Sequence, residues 1–523
     1  MKNTKKIMAV LLCLTMCIGL FASCGGGGET DNQGNSDGEK IITYGLSDAW
    51  TRLMPYDMVG MNSIIPNEKI FDRLVGFDND NIIYYRAAES IDLSEDKKTF
   101  TVHLREDSKW HDGEPVTAYD WEWTFKTMAK PEFEGYGNRG YLSYFAGTDG
   151  SGTGDIEIKA LDDYTLEMNI KEPCTPEAFF GAYSYYYYVL PKHLLEDIPV
   201  EELGSNEFWD HPIGSGPCKF VSQQAGYEVV LEKFDDYYLG APQFDKLIYR
   251  VMSDTSLSAG ILAGEFDAGW PSVSSEEALE TLDGKNGIHA ELVDNKNYLK
   301  LNLNNELFPE EVRHAFEIAI DKNLIVQSVL KGYGSVACTY VMPSSKYFNS
   351  DLTFERDPEK AKQMLDQANF DYSKTYTLAC GSAENEKVAV IIQQNLADIG
   401  VKVDIQSCDN ATMLSGARDG TYDMSIGSTT TLGSPTYYML NLNPDTITYS
   451  RVNDKELYNL LLDINLETDE EKRIEMAKDM QEVFYEKSPY ISLCYKDIYM
   501  VLSSKLDNVD IPNNDKCWEW EVK

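Results

Sequence analysis

The chain has 523 residues, with 86 acidic against 46 basic side chains, and 43% of it is apolar. At ~100–200 residues per domain this length means two or three compact units with ample cores, which excludes wholesale disorder. A formal charge of −40 excludes nucleic acid as the main partner, because condensation onto phosphate needs a dense Lys/Arg face.

Lys2, Lys5 and Lys6 precede an uncharged, mostly apolar run over residues 7–22. It is shorter than the ~20 residues a helix needs to cross a bilayer core, and the pattern reads as a secretory signal over residues 1–23. Ala22-Ser23-Cys24 is similar to a bacterial lipobox, with Phe21 where that pattern usually has Leu. The similarity implies cleavage before Cys24 and acylation of that cysteine, which anchors an extracytoplasmic protein to the cell membrane. A plain signal with an incidental cysteine is the alternative. Residues 25–40 hold Gly, Asn, Ser, Asp and Glu and no hydrophobic residue, so 24–40 is expected to be a flexible tether.

Beyond the tether, Ile41-Ile42-Thr43-Tyr44 and Thr99-Phe100-Thr101-Val102-His103-Leu104 alternate as strands do. Tyr183 and the run 185–188 stand out among 33 tyrosines and offer apolar area with a hydroxyl, suited either to a core or to a groove for polar solutes. Val312, Ala315, Phe316, Ala319 and Ile320 fall on one helix face. Asp357-Pro358 is an N-cap with proline at the first helical position, followed by the stripe Ala361, Met364, Leu365 and Ala368. A helix from about Glu386 to Ile399 stops at Gly400, and Val401, Val403 and Ile405 then alternate as a strand. Helix running into strand predicts an α/β fold.

Catalytic patterns are scarce. H-E-x-x-H, G-x-S-x-G and the Walker-type loop do not occur, and no C-x-x-C pair points to zinc or redox chemistry. Gly135, Gly137 and Gly140 satisfy G-x-G-x-x-G but follow a polar stretch rather than a strand, which argues against dinucleotide binding. Trp110-His111-Asp112-Gly113 reads as a tight turn rather than half of a metal pair with His103. No cofactor or metal is expected, and no catalytic residue is assigned. Seven cysteines lie beyond Cys24, an odd number that cannot all pair.

Several segments together resemble the extracellular solute-binding proteins of ABC importers, in the oligopeptide/dipeptide/nickel-binding family. They include Phe71-Asp72-Arg73-Leu74-Val75, Ala88-Glu89-Ser90, the 99–105 strand and Trp110-His111-Asp112-Gly113-Glu114-Pro115-Val116-Thr117-Ala118. Pro212-Ile213-Gly214-Ser215-Gly216-Pro217, Asp236-Tyr237-Tyr238-Leu239-Gly240, Gly264-Glu265-Phe266-Asp267, Val312-Arg313-His314-Ala315 and Ile399-Gly400-Val401 follow in order. The resemblance covers nearly the whole mature chain. It implies a two-lobed, clamp-like periplasmic-binding-protein fold with an additional inserted domain: a discontinuous lobe I (41–75, 199–268, 486–523), an inserted domain (76–198) and lobe II (269–485). It also implies a monomer that binds an oligopeptide or similar polar solute for uptake, partnered by ABC permease subunits and breaking no bond.

In peptide-binding members of that family a tryptophan and, three positions later, an aspartate that holds the peptide ammonium precede an acidic-Pro pair. Counting back from Ser434-Pro435, those positions are Ser428 and Thr431, and both side chains are lost. A buried ammonium without a carboxylate partner costs several kcal/mol, so Ser428, Thr429, Thr430 and Thr431 suit neutral or blocked solutes, unless an acid from the Glu384-Asn385-Glu386 loop substitutes. Val59 and Met61 match the segment that lines the site from lobe I. Trp270 is expected near the crossover between lobes, in the site or packed at the hinge. An oligosaccharide is the alternative ligand, and a secreted acidic hydrolase working through a carboxylate pair is the reading from another class.

Overall fold

The computed structural model describes residues 39–46, 50, 52–56, 61–77, 83–133, 139–183, 187–252, 254–270, 287–430, 442, 448–452, 454–509 and 515–523. The signal, Cys24, the tether up to residue 38, Val59 and Thr431 lie outside the described residues. So do the side chains of Met61 and Thr430.

β1 (Ile41–Leu46) is followed by the helix Met61–Ile70 and the short antiparallel pair β2 (Val75–Phe77) and β3 (Ile83–Tyr85). A four-stranded antiparallel sheet comes next, from β4 (Ala88–Leu93), β5 (Thr99–Leu104), β6 (Ile158–Asp162) and β7 (Thr165–Asn169) in the order β4-β5-β7-β6. Its alternation is the one read from sequence: Phe100, Val102 and Leu104 of β5 are buried, and the residues between them are half-buried. The chain then forms β8 (Cys218–Gln224), β9 (Glu228–Lys233), β10 (Lys246–Val251) and β11 (Ala268–Gly269). The later half supplies β12 (Ile288–Leu303), β13 (Gly334–Val336), β14 (Thr375–Cys380), β15 (Lys402–Ser407), β16 (Met424–Thr430) and β17 (Ile491–Ser503). β18 (Leu506–Asp507) and β19 (Glu521–Val522) pair at the end of the chain.

Among the described residues one large sheet runs in the order β15-β14-β16-β12-β17-β11-β1-β10-β9-β8, with β13 on β17. Helices in the later half form where their caps sit. Asp357 accepts from the Lys360 N–H at 2.8 Å and begins Pro358–Gln367, which buries Ala361 and Leu365. Glu310–Ala319 buries Val312, Ala315, Phe316 and Ala319. Ala383–Asp398 buries Val388, Ile392 and Leu396 and gives way at Gly400, whose φ of +91° is left-handed, to β15. That helix starts three residues earlier than its apolar stripe suggests, because the Ser382 side chain caps it by accepting from the Asn385 N–H.

The apolar interior is divided along β12 and β17. Leu299, Leu301, Leu303, Ile491, Leu493 and Cys494 belong to one core with β14 and β16, whereas Met500 belongs to another with β1, β8, β9, β10 and the four-stranded sheet. Between the two cores the β12/β17 ladder slips register, from Val293 opposite Ile498 to Asn297 opposite Lys496. The residues at the slip are polar, Asp294, Asn295 and Lys296 on one strand and Lys496 and Asp497 on the other.

Candidate ligand site

Register alone locates a shared edge. In the later half β14 is parallel to β16, and the last residue of β16, Thr430, pairs with Asn297 at the slip. The carboxyl ends of these parallel strands therefore point to the slip. In the earlier half β11 runs antiparallel to β17, with Ala268 opposite Leu502 and Gly269 opposite Val501, so its next residue moves toward the same slip. β1 and β10 are parallel to β11 or to one another, so their carboxyl ends face that way too. Ligands of open α/β sheets bind outside the carboxyl ends of parallel strands, and here two sets of such ends meet the same break between cores.

The polar groups at this edge come from three elements. Glu384 sits in the first turn of Ala383–Asp398, and its Oε1 pairs with the Lys496 ammonium at 2.5 Å. Both side chains are about a quarter to a third exposed, at 25% for Lys496 and 32% for Glu384, so the pair stays open to water and to competitors. Lys496 is the ladder partner of Asn297, whose other neighbour is Thr430. One chain of contacts thus links Glu384, Lys496, Asn297 and the end of β16.

Placed on this edge, the residues singled out from the sequence separate clearly. Ser428 is exposed and Thr429 half-buried on β16, paired with Leu299 and Tyr298. Glu384 lies in a helix and not in a loop, a correction that follows from the Ser382 cap. Trp270 directly follows β11 and is half-buried against the core of the earlier half. Met61 opens the helix Met61–Ile70. Lys496 and Asn297 were missed. The available signal was a polar interruption in two otherwise apolar strands, which becomes meaningful only when the strands are seen to pair.

Other prominent side chains turn out to be structural. Tyr187 and Tyr188 are buried, Tyr187 stacked on Phe179 and edge-on to Phe125, Tyr188 donating its N–H to the Tyr56 hydroxyl at 2.9 Å. The 110–113 stretch is the expected turn, with Gly113 at a φ of +99°. There His111 accepts at Nδ1 from the Gly214 N–H, 3.2 Å away, and donates from Nε2 to the Gly216 carbonyl at 3.0 Å. Burial pushes this imidazole down to about 4, so it is neutral. His103 lies apart from it, paired with Asp92 at 3.0 Å on an exposed strand face. Among the described residues no group of three His, Cys, Asp or Glu side chains is placed to hold a metal, and no helix is long and apolar enough to cross a membrane.

Known proteins give the arrangement its context. Residues 83–449 match the family described as bacterial extracellular solute-binding proteins, family 5 Middle. The oligopeptide-binding protein AppA of Bacillus subtilis (strain 168) is 24% identical, with 98% of this chain and 99% of that protein covered. The structure of AppA in complex with a nonapeptide superposes with a TM-score of 0.78 at 24% identity, covering 93% of this chain and 99% of that one. The binding protein DppA of Helicobacter pylori in complex with the peptide STSA gives a TM-score of 0.78 at 21% identity, over 92% and 98% of the two chains. The mixed α/β fold is that of these two-lobed structures. By the extent of the family match and the shared fold, the chain belongs to the family 5 extracellular solute-binding proteins of bacteria.

Proposed function

We propose that the protein is the solute-binding component of an ABC importer, gripping a peptide or a peptide-sized polar solute between its two halves and delivering it unchanged to permease subunits. The observation that carries this reading is the convergence of parallel-strand carboxyl ends from both halves on the register slip between Val293 and Asn297. A solute touching both sets of ends is desolvated on closure, and ligand selects the closed state because only there does it contact both. Nothing in this requires a bond to break. We take the inserted domain to be the part built on the four-stranded sheet, and we place the lobe crossovers at 293/297 and 496/498 rather than at 269 and 486, since β12 and β17 pair continuously up to the slip. Cys24 is proposed to carry the lipid that keeps the receptor at the cell membrane.

Val59, Met61, Trp270, Ser428, Thr429, Thr430 and Thr431 are proposed to line the site, with Glu384 as an acid at its edge. Glu384 is already neutralised by Lys496. With Thr431 in place of an aspartate, the free ammonium of a peptide lacks the carboxylate partner that the family resemblance puts at that position. A thermal-shift screen of short peptides followed by calorimetry on the best binder tests this, because a ligand specific for the native state raises the midpoint by mass action. N-acetylation of that peptide is expected to change Kd by less than about tenfold, the equivalent of ~1.4 kcal/mol. A loss of a hundredfold or more would show that a carboxylate holds the ammonium after all.

A further inference from the structure

We propose that Lys496 is the anchor for a carboxylate of the solute, and that Glu384 holds its place until the solute arrives. Lys496 acts so only in a solute receptor as proposed above, and the role narrows the ligand to solutes that carry an acid.

The burial of β17 singles the lysine out. The strand is buried over residues 491–495 and again over 499–501, and between these runs Lys496, Asp497 and Ile498 are half-buried. Lys496 stands between Asn297 of β12 and Gly334 of β13, and the glycine brings no side chain to cover it. Glu384 reaches the same opening from another element. β14 ends at Cys380 and the helix Ala383–Asp398 follows almost at once, so Glu384 lies just past the carboxyl end of a parallel strand. Its Oε1 accepts from the Lys496 ammonium at 2.5 Å.

This pair does little for the fold and much for exchange. With 25% of the lysine side chain and 32% of the glutamate side chain exposed, water competes for both charges, and exposed pairs add little net stability. Glu384 released from Lys496 still has the positive end of its own helix beside it. A solute carboxylate that takes its place meets the same ammonium in a closing cleft, where charge-assisted hydrogen bonds are stronger than at an open surface. One carboxylate leaves the lysine as another arrives, so closure buries no unpaired ammonium. An uncharged solute leaves Glu384 where it is and gains nothing from Lys496. The group that Lys496 already holds is a carboxylate, so its position is fitted to that class of acid. With 86 acidic against 46 basic side chains the chain as a whole repels an acidic solute, and a lysine at the cleft supplies the local attraction.

Calorimetry on the full chain tests this with the best-binding peptide of the thermal-shift screen, made as the free acid, as the C-terminal amide and with each acidic side chain turned into its amide. One of these neutralisations is expected to weaken Kd by about tenfold or more, and which one does so shows whether the terminal or a side-chain carboxylate is held. Lys496→Met should bring the acid and amide forms to within about twofold of each other, whereas Lys496→Arg, which keeps the charge, should preserve the preference. A lysine that only supported the fold would weaken both forms alike. Glu384→Gln, which removes the placeholder, should tighten binding of the acid form by up to about fivefold. Equal Kd for every neutralised peptide, an acid preference that survives Lys496→Met, or weaker binding of the acid form by Glu384→Gln would each overturn the proposal while leaving the receptor reading intact. The unsubstituted chain and Glu384→Gln decide the question even where Lys496→Met fails to fold. Absence of binding by any peptide would instead overturn the peptide-receptor reading, and this proposal with it.

Discussion

His111 and Asp515 carry opposite electrostatic burdens. Burial would raise the Asp515 carboxyl, but Arg73 and Arg86 overcome it and hold the group well below the usual carboxylate range. For His111 burial wins outright, from an ordinary value near 6.5 down to about 4. Between those two values the unfolded chain binds the proton and the folded chain does not. Stability is therefore complete above pH 6.5 and is lost as pH falls towards 4, by about 3 kcal/mol for a shift of this size. Denaturant unfolding across pH 4–7 should show that slope, and His111→Asn, which keeps polar atoms but cannot titrate, should flatten it by about the same amount. An undiminished slope in the variant would assign the acid sensitivity to other groups.

The two glycines that His111 meets belong to residues 212–217, an element defined by close approach. The Ile70 carbonyl at the end of the helix Met61–Ile70 accepts from the Gly216 N–H at 2.8 Å, which satisfies one of the orphan acceptors of that helix end. A Cβ on Gly214 would stand 1.9 Å from the same carbonyl oxygen, and one on Gly216 would stand 2.6 Å from the Lys69 oxygen. Backbone on both sides leaves no flexible side chain to give way. Gly214→Ala should cost about 1–3 kcal/mol, as overpacking does, and lower the denaturant midpoint accordingly. An unchanged midpoint would show that the segment can move off the helix end. The two motifs that best mark the family resemblance, at 110–118 and 212–217, thus hold each other in place and lie in the framework.

For the whole molecule the governing feature is a division of the interior. One long sheet crosses separate cores, and β17 contributes to both of the larger ones, with Ile491, Leu493 and Cys494 in one and Met500 in the other. The ladder between β12 and β17 is interrupted between Val293 and Asn297, which suits bending there. Ahead of this body stands the Gly-rich stretch that follows Cys24. If Cys24 carries acyl chains, Cys24→Ala should move the protein from the membrane fraction into the medium or leave it with its signal uncleaved, by fractionation and mass spectrometry of the N-terminus. A variant that stays membrane-bound through continued acylation would refute the tether.

What the sequence determined by itself was local. Asp357-Pro358 begins a helix, Gly400 ends one, and Thr99–Leu104 alternates as a strand, because caps, left-handed glycines and two-residue alternation are set by neighbours within one or two turns. Tertiary structure decided what meets what. Glu384 and Lys496 lie 112 residues apart and Arg73 and Asp515 farther still, yet each pair is brought into contact by strand register and by the docking of the last residues. The crossover between cores is likewise a property of two paired strands and invisible in either alone. Contacts of that range depend on the order in which strands join a sheet, and no periodicity within a single segment encodes it.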